Sequence, residues 1–195
     1  MKKLFSLLTL IYITMYSVKA QSTPVGLNVN DNAPDFISTD QNGKIINLKE
    51  QLKKGTVVLV FYRGEWCGYC NKQLKNLEDS LSLIISKGAT LFAVTPEKKE
   101  NVSKTIEKTK ATFSILTDDN QKIMTAYKVV FALDEKTTEK YKGYGINLME
   151  CNGNNGNNLP VPAVYIINKA GKIIYRYFDE KYSNRVSVKE ILAHL

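Results

Sequence analysis

The stretch from Val57 to Leu74 reads Val-Val-Leu-Val-Phe-Tyr-Arg-Gly-Glu-Trp-Cys-Gly-Tyr-Cys-Asn-Lys-Gln-Leu, and it decides the fold. Its first part belongs to the run Thr56 to Tyr62, whose apolar, β-branched and aromatic composition is typical of a strand buried on both faces. Its last part begins a helix, because apolar residues from Asn71 to Ser86 recur every three or four positions. Cys67 and Cys70 lie at the predicted turn between strand and helix.

The spacing of these two cysteines predicts a redox-active dithiol. Two intervening residues, Gly68 and Tyr69, allow the sulfurs to meet across one helical turn and close a disulfide. Cys67 falls at the predicted helix N-terminus, where unpaired N–H groups and the helix dipole favour a thiolate. We therefore expect Cys67 to be the nucleophile, and the more shielded Cys70 to resolve the mixed disulfide.

Residues beside the pair are candidates for accessory roles. Trp66 is expected to cover the sulfurs, and Tyr69 to influence the redox potential because it sits beside the leaving sulfur. Arg63 and Lys72 add positive charge nearby. We predict that Trp66, Gly68 and Tyr69 position the substrate.

Strands and helices alternate along the rest of the chain, which predicts an α/β domain with a sheet covered on both faces. Asn42-Gly43 indicates an N-terminal β-hairpin. The further predicted strands are Ala89 to Thr95, Phe113 to Leu116, Ala163 to Ile167 and Ile173 to Tyr177, and the further helices run from Pro96 to about Lys110 and from Ser187 to Leu195.

Residues 127–159 interrupt this order and are predicted to be an insertion into one domain, 21–195. The insertion combines a helix around Asp134 to Tyr144 with a loose segment rich in Asn and Gly, Cys151 to Asn158. Neither half of the chain offers a separate core. The odd thiol, Cys151, is either a free cysteine in this segment or a second resolving or substrate-docking thiol.

Residues 1–20 have the order of a secretory signal peptide. Lys2 and Lys3 precede an apolar run, and Val18-Lys19-Ala20 provides a cleavage site after Ala20. The run of about a dozen residues is short of the roughly 20 that span a bilayer, which argues against a membrane anchor. We expect an exported protein, periplasmic or secreted, without stable membrane insertion after cleavage.

Charge does not indicate a nucleic-acid partner. The formal net charge is +8, and removal of the three lysines in residues 1–20 lowers it to +5. The remaining basic residues are scattered, with Lys53-Lys54 and Lys98-Lys99 as the adjacent pairs. They are typical of a solvated surface.

Three further stretches, together with the cysteine turn, carry a family resemblance. They are Asn32-Ala33-Pro34-Asp35-Phe36, Val161 to Ile167, and Phe178 to Val188. The chain resembles the thioredoxin superfamily, and more narrowly the peroxiredoxin-like branch of the alkyl hydroperoxide reductase and thiol-specific antioxidant (AhpC/TSA) family. The resemblance implies a thioredoxin-like α/β fold, with a central mixed sheet flanked by helices and the insertion placed before the third core strand.

The resemblance also implies roles for residues outside the turn. Thioredoxin-like proteins have a cis proline before the third core strand, which assigns that role to Pro162, with Val161 offering its backbone to an extended substrate. Thioredoxins carry a buried Asp six residues before the first cysteine, and here that position is Phe61. Glu65, or a carboxylate in the insertion, would then have to transfer protons unless water does.

The peroxidase motif of peroxiredoxins is incomplete. Those enzymes place Pro seven residues and Thr or Ser three residues before the reactive cysteine, and add a distant Arg. Counted from Cys67 these positions hold Val60 and Gly64, and counted from Cys70 they hold Arg63 and Cys67 itself. Neither supplies the hydroxyl, although Arg176 could stand in for the arginine.

Two other uses of the cysteines are less consistent with the sequence. A zinc site normally needs four ligands, and the chain offers Cys151 and a terminal His194 beyond the pair. A structural disulfide is disfavoured by Trp66 and by the strand-to-helix turn.

The sequence therefore predicts an exported thiol–disulfide oxidoreductase that needs no cofactor beyond its Cys67–Cys70 disulfide. Its expected partners are a protein thiol or disulfide, and another thioredoxin-like protein that restores the pair. The alternatives are a thioredoxin-dependent thiol peroxidase, acting as an antioxidant on hydrogen peroxide or alkyl hydroperoxides, and a binding module that retains the fold. The oligomeric state stays open, although peroxiredoxin relatives often pair.

Overall fold

The computed structural model describes residues 23–195, so the predicted signal peptide lies outside the described residues. The strands are β1 (Ile37–Thr39), β2 (Ile45–Asn47), β3 (Thr56–Phe61), β4 (Ala89–Thr95), β5 (Ser114–Thr117), β6 (Val130–Ala132), β7 (Asn158–Pro160), β8 (Ala163–Ile167) and β9 (Ile173–Phe178). The helices are α1 (Leu48–Lys54), α2 (Gly68–Asp79), α3 (Leu81–Ser86), α4 (Lys99–Thr109), α5 (Lys122–Ala126), α6 (Glu135–Gly143), α7 (Leu148–Asn152) and α8 (Val188–Ala193). Within 23–195, no helix is both long enough and apolar enough to cross a bilayer.

The central sheet has five strands in the order β5-β4-β3-β8-β9. Strands β3, β4 and β5 run parallel to one another, whereas β8 is antiparallel to both β3 and β9. The predicted mixed sheet flanked by helices is therefore confirmed. The parallel order also places the C-terminal ends of β3 and β4 at one edge of the sheet, next to the cysteine turn.

Both faces of β3 are covered, which explains its uninterrupted apolar sequence. Val57, Leu59 and Phe61 point into one core cluster, which includes Leu48 of α1 and Met124 of α5. The side chains on the other face of β3, Val58 and Val60, pack into a second cluster with Tyr62. This cluster also contains residues of α2, α4 and α8: Leu74, Leu77, Val102 and Ile191. Burial of each large apolar side chain contributes roughly 1.5–3 kcal/mol, so the sheet is anchored from both sides.

The N-terminal hairpin is confirmed by the antiparallel pairing of β1 with β2. Gly43 in its turn has a φ of +79°, a backbone conformation that glycine adopts without strain. The chain then enters α1, whose N-cap Asn47 accepts a hydrogen bond from the Glu50 N–H at 3.2 Å.

The single helix predicted up to Ser86 is two helices. Ser80 has φ −113° and ψ 9°, outside the α-helical region, so α2 ends at Asp79 and α3 begins at Leu81. Serine in a helix interior competes with the backbone for hydrogen bonds and therefore favours such a break. Ile84 of α3 is fully buried.

The insertion is ordered more tightly than its composition indicates. Its first and last strands, β6 and β7, pair antiparallel, and α6 and α7 lie between them. Asparagine side chains replace missing backbone partners: Asn155 Nδ2 donates to the carbonyls of Pro96 (2.7 Å) and Asp118 (2.9 Å), and Asn157 Nδ2 donates to that of Leu133 (2.6 Å). The prediction of a loose segment is wrong, because these side-chain amides hold its backbone in place. The paired strands β6 and β7 have three residues each, too few to give a pattern in the sequence.

Candidate active site

The turn between β3 and α2 places both cysteines at the start of a helix, as the sequence predicts. Cys67 is the N-cap residue of α2, and its Sγ accepts a hydrogen bond from the Cys70 N–H at 3.4 Å. Such a contact satisfies an N–H group that the helix leaves unpaired and favours negative charge on sulfur. Both cysteines are free thiols in this structure.

The two sulfurs differ in access. Cys67 is 5% exposed and Cys70 is fully buried. Gly68 and Tyr69, between them, are both exposed. An attacking molecule therefore meets Cys67 before Cys70.

The ionisation of each thiol depends on the other. The hydrogen bond to Cys70, followed by burial, raises the pKa of Cys67. Burial opposes ionisation of Cys70, but the hydrogen bond from Cys67 and the Arg185 guanidinium together lower the pKa of Cys70 to about 6. The thiol with the lowered pKa is thus Cys70, whereas the sequence predicted a thiolate at Cys67 from its position at the helix N-terminus. The difference arises in part from a cation beside the Cys70 sulfur that sequence analysis missed.

That cation comes from the segment before α8. Arg185 Nη2 donates to the Cys70 Sγ at 3.3 Å, while its Nη1 is held by the carbonyls of Tyr182 and Asn184. Sequence analysis named Arg176 for this role, but its guanidinium donates to the Val25 carbonyl at 2.7 Å and contacts neither cysteine. A signal was available, since Arg185 lies inside the Phe178 to Val188 stretch that carries the family resemblance.

A second buried arginine lies on the other side of the turn. Arg63 is 3% exposed and lies over three aromatic rings, with its guanidinium carbon 4.4 Å from the centroid of Tyr182, 5.0 Å from Trp66 and 5.6 Å from Tyr141. It also donates a hydrogen bond to the Tyr141 hydroxyl. Cation–π contacts of this kind contribute about 0.5–2 kcal/mol each, so Arg63 joins three segments of the chain beside the thiols.

These rings form what we call the aromatic rim: Trp66, Tyr69, Tyr141 and Tyr182. Trp66 contacts Tyr141 edge to face at 5.4 Å between centroids, and Tyr69 contacts Tyr182 in the same way at 5.9 Å. Tyr141 belongs to α6 of the insertion. The rim therefore combines the cysteine turn, the insertion and the C-terminal segment.

A buried carboxyl group, which sequence analysis missed, supports the turn from below. Glu97 is 1% exposed, and its Oε2 accepts the Glu65 N–H at 2.8 Å. Burial, and then the charges of Glu65 and Cys70, raise the pKa of Glu97 to about 8. Glu65, named from the sequence, instead forms an ion pair with Lys108. Glu97 directly follows the end of β4, and the shared edge of β3 and β4 was the signal that could have identified it.

Gly64 allows Glu97 and Trp66 to approach the turn closely. Its φ is +155°, and a Cβ at this position would lie 2.5 Å from Trp66 Nε1 and 2.7 Å from Glu97 Oε1. Both of these atoms are buried and have no hydrogen-bond partner within the described part of the chain. The turn thus requires glycine here for two independent reasons, the positive φ and the lack of space for a Cβ.

Comparison with known proteins places this architecture in a family. Residues 29–176 match the model of the AhpC/TSA family. The chain belongs to the AhpC/TSA family. The thiol-disulfide oxidoreductase ResA of Geobacillus thermodenitrificans is 30% identical over 102 residues, which cover 52% of this chain and 58% of that relative. The chain thus matches little more than half the length of that relative.

Two solved structures of peroxiredoxins have the same fold as this AhpC/TSA protein. Peroxiredoxin 6 of Arenicola marina superposes with a TM-score of 0.69 and 16% identity, covering 86% of this chain and 71% of the other. Peroxidoxin BcpB of Mycobacterium tuberculosis gives a TM-score of 0.65 and 18% identity, covering 85% and 94%. At this identity the likeness establishes the thioredoxin-like fold.

When the site is compared with the peroxiredoxin motif, the geometry favours Cys70 as the position of the reactive cysteine. In that register Cys67 occupies the position of the Thr or Ser, and its Sγ accepts a hydrogen bond from the Cys70 N–H. Arg185 supplies the distant arginine. A thiol therefore takes the place of the family's hydroxyl.

The cis conformation predicted for Pro162 is wrong. Every peptide bond in residues 23–195 is trans, including Val161–Pro162. The Val161 N–H donates to the Val129 carbonyl at 2.8 Å, next to the β6–β7 pair, so that its backbone donor is used within the chain. The trans form is also the intrinsically preferred one for X–Pro bonds, by about 0.5–1 kcal/mol.

Cys151 lies in α7, half-buried, on the segment that adjoins Glu97. Its carbonyl accepts the Lys98 N–H at 2.9 Å and the Asn101 Nδ2 at 3.0 Å. Burial, and then the negative charges of Glu97 and Glu65, raise the pKa of the Cys151 thiol. Its sulfur is thus kept protonated at neutral pH, which disfavours a nucleophilic role.

Proposed function

We propose that this protein is a thiol–disulfide oxidoreductase whose working groups are Cys67 and Cys70. The observation that carries the proposal is the dithiol at the N-terminus of α2, with a guanidinium 3.3 Å from the inner sulfur. A lowered thiol pKa provides both a nucleophile at neutral pH and a good leaving group. The ResA relative, a thiol-disulfide oxidoreductase by name, supports the same reaction class.

The first step uses the more accessible sulfur. A proton moves from the Cys67 thiol to the Cys70 thiolate, whose pKa is the lower of the two. The Cys67 thiolate then attacks one sulfur of the substrate disulfide, forms a mixed disulfide and releases the other substrate sulfur as a thiolate. The aromatic rim and the exposed Gly68 border this sulfur and serve to position the substrate.

The second step closes the internal disulfide. Cys70 gives its proton to the substrate thiolate released in the first step, and Arg185 stabilises the resulting Cys70 thiolate. That thiolate attacks Cys67, and the second substrate sulfur leaves as a thiolate. Two electrons pass from the pair to the substrate, and a thioredoxin-like partner restores the dithiol by the reverse chemistry.

Thiol peroxidase activity is the second candidate, favoured by the contact of Cys70 with both Arg185 and Cys67. Here the Cys70 thiolate attacks one oxygen of a peroxide and becomes a sulfenic acid, releasing water or an alcohol. Cys67 condenses with the sulfenic acid, and water leaves as the disulfide forms. The complete burial of Cys70 opposes this reaction, since the peroxide has to reach that sulfur.

Export to the periplasm or the exterior is part of the proposal and rests on the signal-like residues 1–20. An oxidising compartment is where a dithiol of this kind meets disulfides.

One paired experiment tests the function. The reduced protein is mixed with hydrogen peroxide or with a protein disulfide, and thiol loss is followed in wild type, Cys67→Ser, Cys70→Ser and the control Cys151→Ser. We expect disulfide exchange in wild type and Cys151→Ser, and a trapped mixed disulfide on Cys67 in Cys70→Ser. Rapid peroxide consumption without exchange would establish the peroxidase instead, and inertness in both assays would leave a binding module.

A further inference from the structure

A cavity of about 310 Å³ lies beside the thiol pair, between α2 and the segment that leads into α8. Its wall includes Tyr69, which separates the two cysteines in the sequence, and Arg185, which contacts the Cys70 sulfur. Leu77 and Val186 give it an apolar side. The cavity is large enough for a small organic molecule, and Tyr69 and Arg185 connect it to the cysteine pair.

The charged side chains that line the cavity are all positive. Lys72 and Arg185 line it, and its wall contains no Asp or Glu from the described residues. Lys72 forms no ion pair within 23–195, unlike Lys75 one turn further along α2, which pairs with Asp79. An unpaired lysine beside a fixed guanidinium favours an anion.

The unsatisfied polar atoms in the wall are hydrogen-bond donors. Gln73 is 5% exposed, and its Nε2 has no hydrogen-bond partner in the described chain. The Nε of Arg185 is likewise buried without a partner there. Buried donors normally find acceptors, so these atoms favour a ligand with acceptor oxygens.

We infer that this cavity binds the carboxylate of a small disulfide or thiol, and so selects anionic low-molecular-weight substrates for the Cys67–Cys70 pair. The inference rests on the proposed function and adds a substrate class to it. The reaction is the exchange described above: the dithiol and one carboxylate-bearing disulfide give the internal Cys67–Cys70 disulfide and two carboxylate-bearing thiols. Lys72 holds the carboxylate, and Gln73 adds a neutral donor.

A series of disulfides that differ in charge tests this substrate class. The reduced protein is oxidised with 3,3′-dithiodipropionate, bis(2-hydroxyethyl) disulfide or cystamine, which are anionic, neutral and cationic. Each rate is divided by that of the same disulfide with dithiothreitol, which removes differences in intrinsic reactivity. We expect the anionic disulfide to be favoured about tenfold over the neutral one, and the cationic one to be the slowest.

Variants on one helix assign the effect to the cavity. Lys72→Gln is expected to remove most of the preference, so that the ratio of the anionic to the neutral rate falls towards one. Lys75→Gln, which removes the same charge outside the cavity, retains the preference. Equal normalised rates for the three disulfides, or equal losses in both variants, would overturn the inference and leave the proposed function intact.

A binding measurement separates this inference from the redox chemistry. Titration calorimetry of 3,3′-dithiodipropionate into the Cys67→Ser/Cys70→Ser protein should show binding that weakens about fivefold in the added Lys72→Gln variant. No binding there would refute the cavity as a carboxylate site. If no disulfide oxidises the wild-type protein while this binding persists, the proposed oxidoreductase is refuted and the carboxylate site stands.

Discussion

Arg185 donates a hydrogen bond to the sulfur of Cys70 at 3.3 Å, although 115 residues separate the two in the chain. The contact places a positive charge on the fully buried member of the pair. A buried thiol in apolar surroundings would otherwise resist ionisation. The reactivity of the dithiol therefore depends on how the C-terminal segment is held.

Removal of this guanidinium should raise the pKa of the inner thiol. We expect the reduced wild-type protein to gain one thiolate near pH 6, measured by the absorbance at 240 nm relative to the oxidised protein. Arg185→Gln should move that transition upward by about 1–3 pH units, because an adjacent opposite charge has an effect of this size. Arg176→Gln, whose guanidinium contacts neither cysteine, is the control. An unshifted transition in Arg185→Gln would contradict the assignment.

Loss of the Tyr141 ring should uncover Cys67. Tyr141 contacts both Arg63 and Trp66 above the thiols, and no side chain of α6 is buried, so little else holds this helix down. We expect Tyr141→Ala to increase the rate at which iodoacetamide alkylates Cys67 about three- to tenfold, once rates are corrected for thiolate content. Tyr144→Ala removes an exposed ring at the end of the same helix and should leave the rate unchanged. Equal rates in the two variants would show that Tyr141 does not limit access.

A methyl group at Gly64 should destabilise the turn strongly. It would meet Trp66 and Glu97 at under 3.0 Å, and the backbone there has a positive φ. We expect Gly64→Ala to lower the free energy of unfolding by about 2 kcal/mol or more in urea titrations. Gly68→Ala has open space around it and lies in a helix, so its unfolding free energy should stay within about 1 kcal/mol of wild type. Similar losses in both variants would refute the steric argument.

Glu97 should make stability fall as the pH rises. Burial raises its pKa from an ordinary 4.5 to about 8 in the folded protein, so the folded state binds this proton more tightly than the unfolded state. The resulting stabilisation is complete below about pH 4.5 and is lost as the pH rises through 8. Between pH 7 and 8.5 the unfolding free energy should drop by about 1 kcal/mol.

The thiols act in the opposite direction, so the background must lack them. The lowered pKa of Cys70 stabilises the folded protein as the pH rises above 6, and Cys67→Ser/Cys70→Ser removes this contribution. In that background Glu97→Gln should abolish the decline, whereas Glu107→Gln, on the exposed face of α4, should preserve it. A decline that persists in Glu97→Gln would assign it to another group.

Sequence patterns predicted the parts of the molecule that depend on local order. The strand ending at Phe61, the cysteines at a helix start and the hairpin at Gly43 each have a short-range signal, in apolar runs, spacing or turn residues. The pairing of β6 with β7 had none, because strands of three residues are too short to show a period.

The chemistry around the thiols depended on contacts between distant segments. Glu97 follows Pro96 in a polar stretch that is typical of an exposed helix start, and only the parallel alignment of β4 with β3 brings it under the cysteine turn. The path of the chain after β9 decides whether Arg176 or Arg185 reaches the sulfur, and the only sequence signal for Arg185 was its place in the stretch from Phe178 to Val188.

The asparagine bonds of the insertion have a consequence for the ageing of the protein. Asn152 and Asn155 each precede a glycine and each donate through Nδ2, Asn152 to the Gly156 carbonyl and Asn155 to those of Pro96 and Asp118. Asparagine is among the residues least durable on heating, and hydrolysis of its amide leaves a carboxylate. An ionised carboxylate cannot donate a hydrogen bond, so these carbonyl oxygens would lose their donor. We therefore expect slow chemical damage in storage to begin in this segment, at the contact of Asn155 with Pro96, the residue before Glu97.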